Sequence, residues 1–365
     1  MSTSVDASAF VANPGAFLAE AMQATSAKAL KTVLAQLQIV SEKEYVFDAD
    51  APEKTWQEGK LHWYPVGRDR GNAGRIKLAG NPENPIAERT INAMEAVIER
   101  ERQLELAANP NAPAPLSPRD AVLRYFDLPP LDQVPGWQGL IKGKKPMLYL
   151  RELASKIRVR LLREKQPVAY TLMIEDEGIG QPPEKMHSRL LSLGQSDKGD
   201  KPYLIGVFGQ GGSSAYASCD YSWIASRRSP ELLGGDSAGV GWTVIRQIIP
   251  GGRRDPYWAY LAAHPDGRVP AFSQAVADGL EISHGTKIAH IGLKVGKAEP
   301  SRTLYQALNH LLFNPVLPYE LYTRADLKSD RMSGNAYRLS NLDEEKALDK
   351  TFAPQTIEKK SEEKS

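Results

Sequence analysis

Residues 170–216 constrain this chain more than any other stretch, because they join an inner-strand pattern to two glycine-bearing breaks. The run Tyr170-Thr-Leu-Met-Ile174 is apolar and β-favouring, and it breaks at Asp176-Glu-Gly-Ile-Gly180. A strand that ends in an acid and two glycines delivers a carboxylate to a cleft. Asp176 would accept a hydrogen bond from an exocyclic amine such as adenine's, while Gly178 and Gly180 let the backbone approach a flat ring. Further on, Leu204-Ile-Gly-Val-Phe-Gly-Gln-Gly-Gly-Ser-Ser-Ala-Tyr216 places Gly206, Gly209, Gly211 and Gly212 ahead of a predicted helix. Such a loop aims backbone N–H groups at an anion, and phosphates would sit there. Each piece alone is also compatible with an ordinary turn, so spacing by itself leaves a purely structural role open.

Composition narrows the class without choosing a partner. The 365 residues are 41% hydrophobic and 25% charged, which suits a soluble globular protein of one large domain or two ordinary ones. Lys+Arg 46 against Asp+Glu 44 gives +2, a balance that calls for neither nucleic acid nor a membrane surface. One cysteine, Cys219, excludes an intrachain disulfide and argues against a cysteine-based metal site. It reads as a small buried residue in a strand. The N-terminus shows no basic start with an apolar core, and no apolar run approaches the roughly 20 residues that span a bilayer. The cytoplasm is therefore the expected compartment.

In chain order, residues 14–44 carry apolar residues at helical spacing and predict one or two helices. Residues 47–84 interleave Trp56, Trp63 and Tyr64 with Lys60, Arg68, Arg70, Arg75 and Lys77, which suits an edge hairpin or loop better than a nucleic-acid surface. Residues 85–100 predict a helix capped by Asn84 with Pro85 in its first turn. Glu88, Asn92 and Glu95 project from one face of it, which on spacing alone is a solvated polar face.

The acid-glycine break and the glycine loop together resemble the second and third sequence boxes of the GHKL ATPases. That superfamily includes gyrase, heat-shock-ninety chaperones, mismatch-repair ATPases and histidine kinases, and the phosphate loop is closest to the heat-shock-ninety form. Glu88-Arg-Thr-Ile-Asn92-Ala-Met-Glu95-Ala resembles the first box, and His284-Gly-Thr-Lys-Ile-Ala-His290-Ile the fourth. The resemblance implies Glu88 as the general base for the attacking water, Asn92 as a Mg2+ ligand and Thr286 as a second adenine contact. An amide oxygen one turn from a carboxylate suits that division of labour. Glu152 has the right spacing too, but Lys156 stands where the amide belongs. The resemblance also implies an α+β two-layer sandwich of the Bergerat type, a mixed sheet with helices on one face, binding ATP and Mg2+.

Four regions follow. Residues 1–80 form an N-terminal helical and loop extension, and 81–300 the ATP-binding domain with an insertion at about 106–167. Residues 301–342 form a helical C-terminal segment, and 343–365 a charged tail expected to be disordered. The insertion holds a proline-rich linker at 109–118, a helix at 119–126 and a basic helix at 147–165. Residues 182–201 correspond to the superfamily's lid, with Met186, Leu190 and Leu191 as its apolar stripe, a polar part expected to be mobile and Lys198 as a phosphate-reaching candidate. Strands are predicted at 221–225, 240–249 and 258–262. His284 and His290 do not read as a metal pair.

The leading expectation is a slow conformational-switch ATPase that acts with a second protomer or a partner protein or is a piece of a longer protein, since no full transducer domain fits in these residues. The alternative is a nucleotide-gated scaffold without turnover. None of the chain's six histidines lies in the N-terminal helical region, so a histidine-kinase activity would lack its phosphoacceptor.

Overall fold

The computed structural model describes residues 4–77, 81, 83–165, 168–193, 201–205, 211–250, 255–294, 300–323 and 329–341. They build a mixed α/β fold around one large sheet. In chain order the strands are β1 (Val5–Asp6), β2 (His62–Pro65), β3 (Ile157–Lys165), β4 (Val168–Asp176), β5 (Tyr221–Arg227), β6 (Val240–Ile248), β7 (Tyr257–Ala262), β8 (Pro270–Phe272), β9 (Gly285–Ile291), β10 (Tyr319–Tyr322) and β11 (Asp330–Met332). The helices are α1 (Pro14–Gln23), α2 (Ala27–Leu34), α3 (Glu83–Ala108), α4 (Pro118–Phe126), α5 (Pro146–Ala154), α6 (Met186–Arg189), α7 (Gly211–Ala217), α8 (Gln274–Gly279), α9 (Pro300–Leu311) and α10 (Gly334–Ser340). The main path of the sheet is β1-β8-β6-β5-β9-β4-β3-β10-β11, with β7 also on β6 and β2 on β7. Among the described strands, only the β1–β8 and β10–β3 pairs are parallel.

Alternation along the inner strands assigns their faces. Leu172 and Ile174 of β4 enter a core with Met94, Val97 and Ile98 of α3, while Met173 turns to a second core with Trp223, Trp242 and Leu18. Helices were expected on one face, and here the structure differs. α1 and α2 cover the opposite face, where Trp223 Nε1 donates to Ala24 O at 2.8 Å and the Phe17 ring meets Trp242 edge-on at 5.3 Å. Two buried tryptophans at roughly 150–250 Å² each need such a cover.

Two local expectations also change. The predicted basic helix at 147–165 is α5 followed by β3, because Ile157, Val159 and Leu161 alternate with Arg158 and Arg160 and bury one side. Asn84 lies inside α3 rather than capping it, and the Glu83 amide instead donates to Asn81 Oδ1 at 3.2 Å. Residues 47–84 do hold an edge strand, and Trp63 and Tyr64 are buried where β2 pairs with β7.

The insertion and the C-terminal segment share the α3 core, through Val122, Phe126 and Leu131 on one side and Leu304, Leu308 and Tyr319 on the other. The 109–118 linker is fastened by Arg102, whose Nη2 donates to Ala112 O at 2.8 Å. No helix among the described residues is long and apolar enough to cross a membrane. The 343–365 tail lies outside the described residues.

Candidate functional site

The carboxylate predicted to enter a cleft sits at the end of β4. Antiparallel pairing of β4 with β9 sets Asp176 opposite Thr286, and β5 sets Ser226 opposite the same threonine. Asp176 Oδ1 accepts hydrogen bonds from Gly178 N at 2.9 Å and Thr286 N at 3.3 Å. Ser226 Oγ lies 2.9 Å from Thr286 Oγ1 and accepts from Gln181 N at 2.9 Å. Residues far apart in sequence therefore converge. Asp176 is only 8% exposed, and burial, opposed by its two backbone hydrogen bonds, pushes its carboxyl up to about 7.

The two glycines of the loop answer to the protein's own packing. A Cβ at Gly178 would stand 2.5 Å from the Ala96 carbonyl carbon, so this glycine lets the loop lie against α3, where Ile179 N donates to Ala96 O at 2.9 Å. Gly180 has φ +61°, and a Cβ there would stand 1.8 Å from Arg227 O. His284 closes the same loop, with Nδ1 2.8 Å from Gly178 O.

α3 runs past this loop and carries a polar stripe at helical spacing. Glu88 and Asn92 are half-buried near its start, and Glu95 is 3% exposed. Glu95 Oε1 accepts from Ile205 N at 2.6 Å, and one turn on, Glu99 accepts from Lys201 Nζ at 2.8 Å and Tyr203 Oη at 2.9 Å. These carboxylates strap residues 201–205 to the helix that bears Glu88 and Asn92. Spacing puts Glu95 on the right face but does not say what it holds, and it gives no sign of Ser226.

Gly211 and Gly212 open α7, whereas Lys198, Gly206 and Gly209 lie outside the described residues, as do 194–200 of the expected lid. The earlier lid residues are built into the fold. Met186 and Leu191 are buried, and Leu191 O accepts from Gly67 N at 2.9 Å.

The remaining candidates have plain settings. Glu152 is bonded to Lys144. Cys219 is buried, and that burial pushes its thiol up to about 12. His290 Nδ1 lies 2.7 Å from Ser222 Oγ. No group of three or more His, Cys, Asp or Glu residues among those described could hold a metal ion. No protein-family model matches this chain, and no curated protein matches it.

Proposed function

We propose that this chain is a GHKL-type ATPase that binds Mg-ATP and hydrolyses it slowly as a conformational switch. The observation that carries the reading is the Asp176–Thr286 pair, joined across β4 and β9 and backed by α3 through Gly178 and Ala96. Both hydrogen bonds to Asp176 fall on Oδ1. Oδ2 would then accept the adenine amine, with Thr286 beside it.

The residues present suit a magnesium ion that keeps most of its ligands as water and phosphate oxygen, since Asn92 offers a neutral oxygen donor rather than a carboxylate cage. Bound there, the ion would neutralise charge on the phosphates. Glu88, one turn before Asn92 on α3, would orient the attacking water and take its proton. The strap of Glu95 and Glu99 would transmit a change at residues 201–205 to the same helix. Homodimerisation or a partner protein would complete such a switch.

Calorimetry with Mg-ATP tests binding, and single-turnover phosphate release at saturating Mg-ATP tests chemistry. Binding without any release, even in the presence of a partner extract, turns the reading into a nucleotide-gated scaffold. No binding removes it.

A further inference from the structure

Arg89 is 9% exposed, yet its Nε and Nη2 have no hydrogen-bond partner, and no carboxylate among the described residues lies within ion-pair distance of it. Its guanidinium carbon stands 5.1 Å from the centre of the Tyr216 ring in α7. Tyr216 Oη and, within electrostatic reach of Arg89, His290 Nε2 are also buried without partners. His290 supplies no counter-charge and no second cation. Burial first, and Arg89 second, push its imidazole down to about 3, so it is neutral at physiological pH. A cation–π contact offsets only part of what burying an unpaired guanidinium costs. Arg89 is left with no counter-charge in direct contact among the described residues.

The helix places that charge. Arg89 and Ala96 are seven residues apart, two turns on one face of α3 and about 10 Å along its axis. Ala96 meets the Asp176 loop, and Arg89 meets α7. A nucleoside triphosphate spans such a separation between base and phosphates. We propose that Arg89 is the cation that binds the phosphate chain, a role that rests on the nucleotide reading of Asp176 and extends it. Nε and Nη2 form one side of the guanidinium fork that matches two phosphate oxygens. An unpaired buried cation in the apo protein then becomes a device for telling a charged ligand from its uncharged nucleoside.

The test compares the parent with Arg89→Met and Arg89→Lys, by thermal unfolding and calorimetry with adenosine, Mg-ATP and Mg-tripolyphosphate. Arg89→Met should unfold at or above the parental temperature without ligand, because it removes an unpaired buried charge. It should bind adenosine as the parent does, lose stabilisation by tripolyphosphate, and bind ATP at least tenfold more weakly. Arg89→Lys, which keeps the charge without the fork, should fall between. If Arg89→Met does not fold, Arg89→Lys carries the test: weaker ATP with unchanged adenosine supports the role, and equal losses overturn it. A parent that tripolyphosphate does not stabilise, or an Arg89→Met protein that it stabilises normally, also overturns it. A parent stabilised by tripolyphosphate but not adenosine removes the adenine reading and leaves the Arg89 role standing.

Discussion

At the scale of single residues, Asp176 separates a structural carboxyl from a base-binding one. Its folded pKa of about 7 lies above the ordinary 3.8, so the folded state holds the proton more tightly than the unfolded chain. The associated stability is present below about pH 4 and is lost as pH rises toward 7, by up to roughly 2–3 kcal/mol between pH 5 and 8. An asparagine in place of the acid keeps an oxygen for Gly178 N and Thr286 N, but it presents N–H where the adenine amine needs an acceptor. Asp176→Asn should therefore lack the parental fall in stability between pH 5 and 8 in urea titrations. It should also bind ATP about ten- to a hundredfold more weakly, a loss on the order of 1.5–3 kcal/mol. Parental ATP affinity in that variant would sink the adenine assignment. Glu88 and Asn92 divide differently. Glu88→Ala should retain Mg-ATP binding while turnover falls by about 10²–10⁴-fold, and Asn92→Ala should impair both. Calorimetry beside single-turnover release distinguishes them, and a Glu88→Ala protein that hydrolyses like the parent excludes this residue as the base.

At the scale of elements, the strap from α3 to residues 201–205 makes a separate claim. Glu99 is half of that strap, with a side chain 13% exposed against Lys201 and Tyr203. Losing it leaves a buried hydroxyl and an ammonium without their acceptor, a cost of about 1–3 kcal/mol. Glu99→Ala should speed hydrogen exchange at the Ile205 amide by tenfold or more while leaving the middle of α3 protected. Unchanged exchange at Ile205 would mean that Glu95 alone holds the segment. The placement of Asp176 at a strand end and of Thr286 at a strand start was legible in the sequence, because an acid-glycine break and a Gly-Thr strand start are local demands written in adjacent residues. β3 was legible in principle, since Ile157, Val159 and Leu161 alternate with arginines, but the helical spacing of 146–154 ran into it and masked the change of period. Ser226 and Arg89 were not legible. A serine opposite Thr286, or an arginine over Tyr216, gains meaning only from strand order and helix packing, which no run of neighbouring residues specifies.

At the scale of the whole molecule, the N-terminal residues are part of the sheet's support rather than an appendage. They supply β1 and β2 to its edges, and α1 lays Phe17 against Trp242 at 5.3 Å and Phe272 at 5.9 Å. The face they cover belongs to β5, β6 and β9, and of these β5 and β9 carry Ser226 and Thr286 toward Asp176. Uncovering Trp223, Trp242, Val244 and Leu261 would expose a contiguous apolar surface, and the register that fixes the site would lose its backing. A chain begun at Asn81 should therefore bind a hydrophobic dye, lose near-ultraviolet dichroism and show no cooperative thermal transition. The milder Phe17→Ala should fold but lose about 3–5 kcal/mol, the usual cost of emptying a buried aromatic site. Mg-ATP affinity should follow the fold in both cases, vanishing in the shortened chain and staying near parental in Phe17→Ala below its melting temperature. A shortened chain that melts cooperatively at the parental temperature and binds Mg-ATP would show that α1 and α2 merely rest on a domain already complete without them.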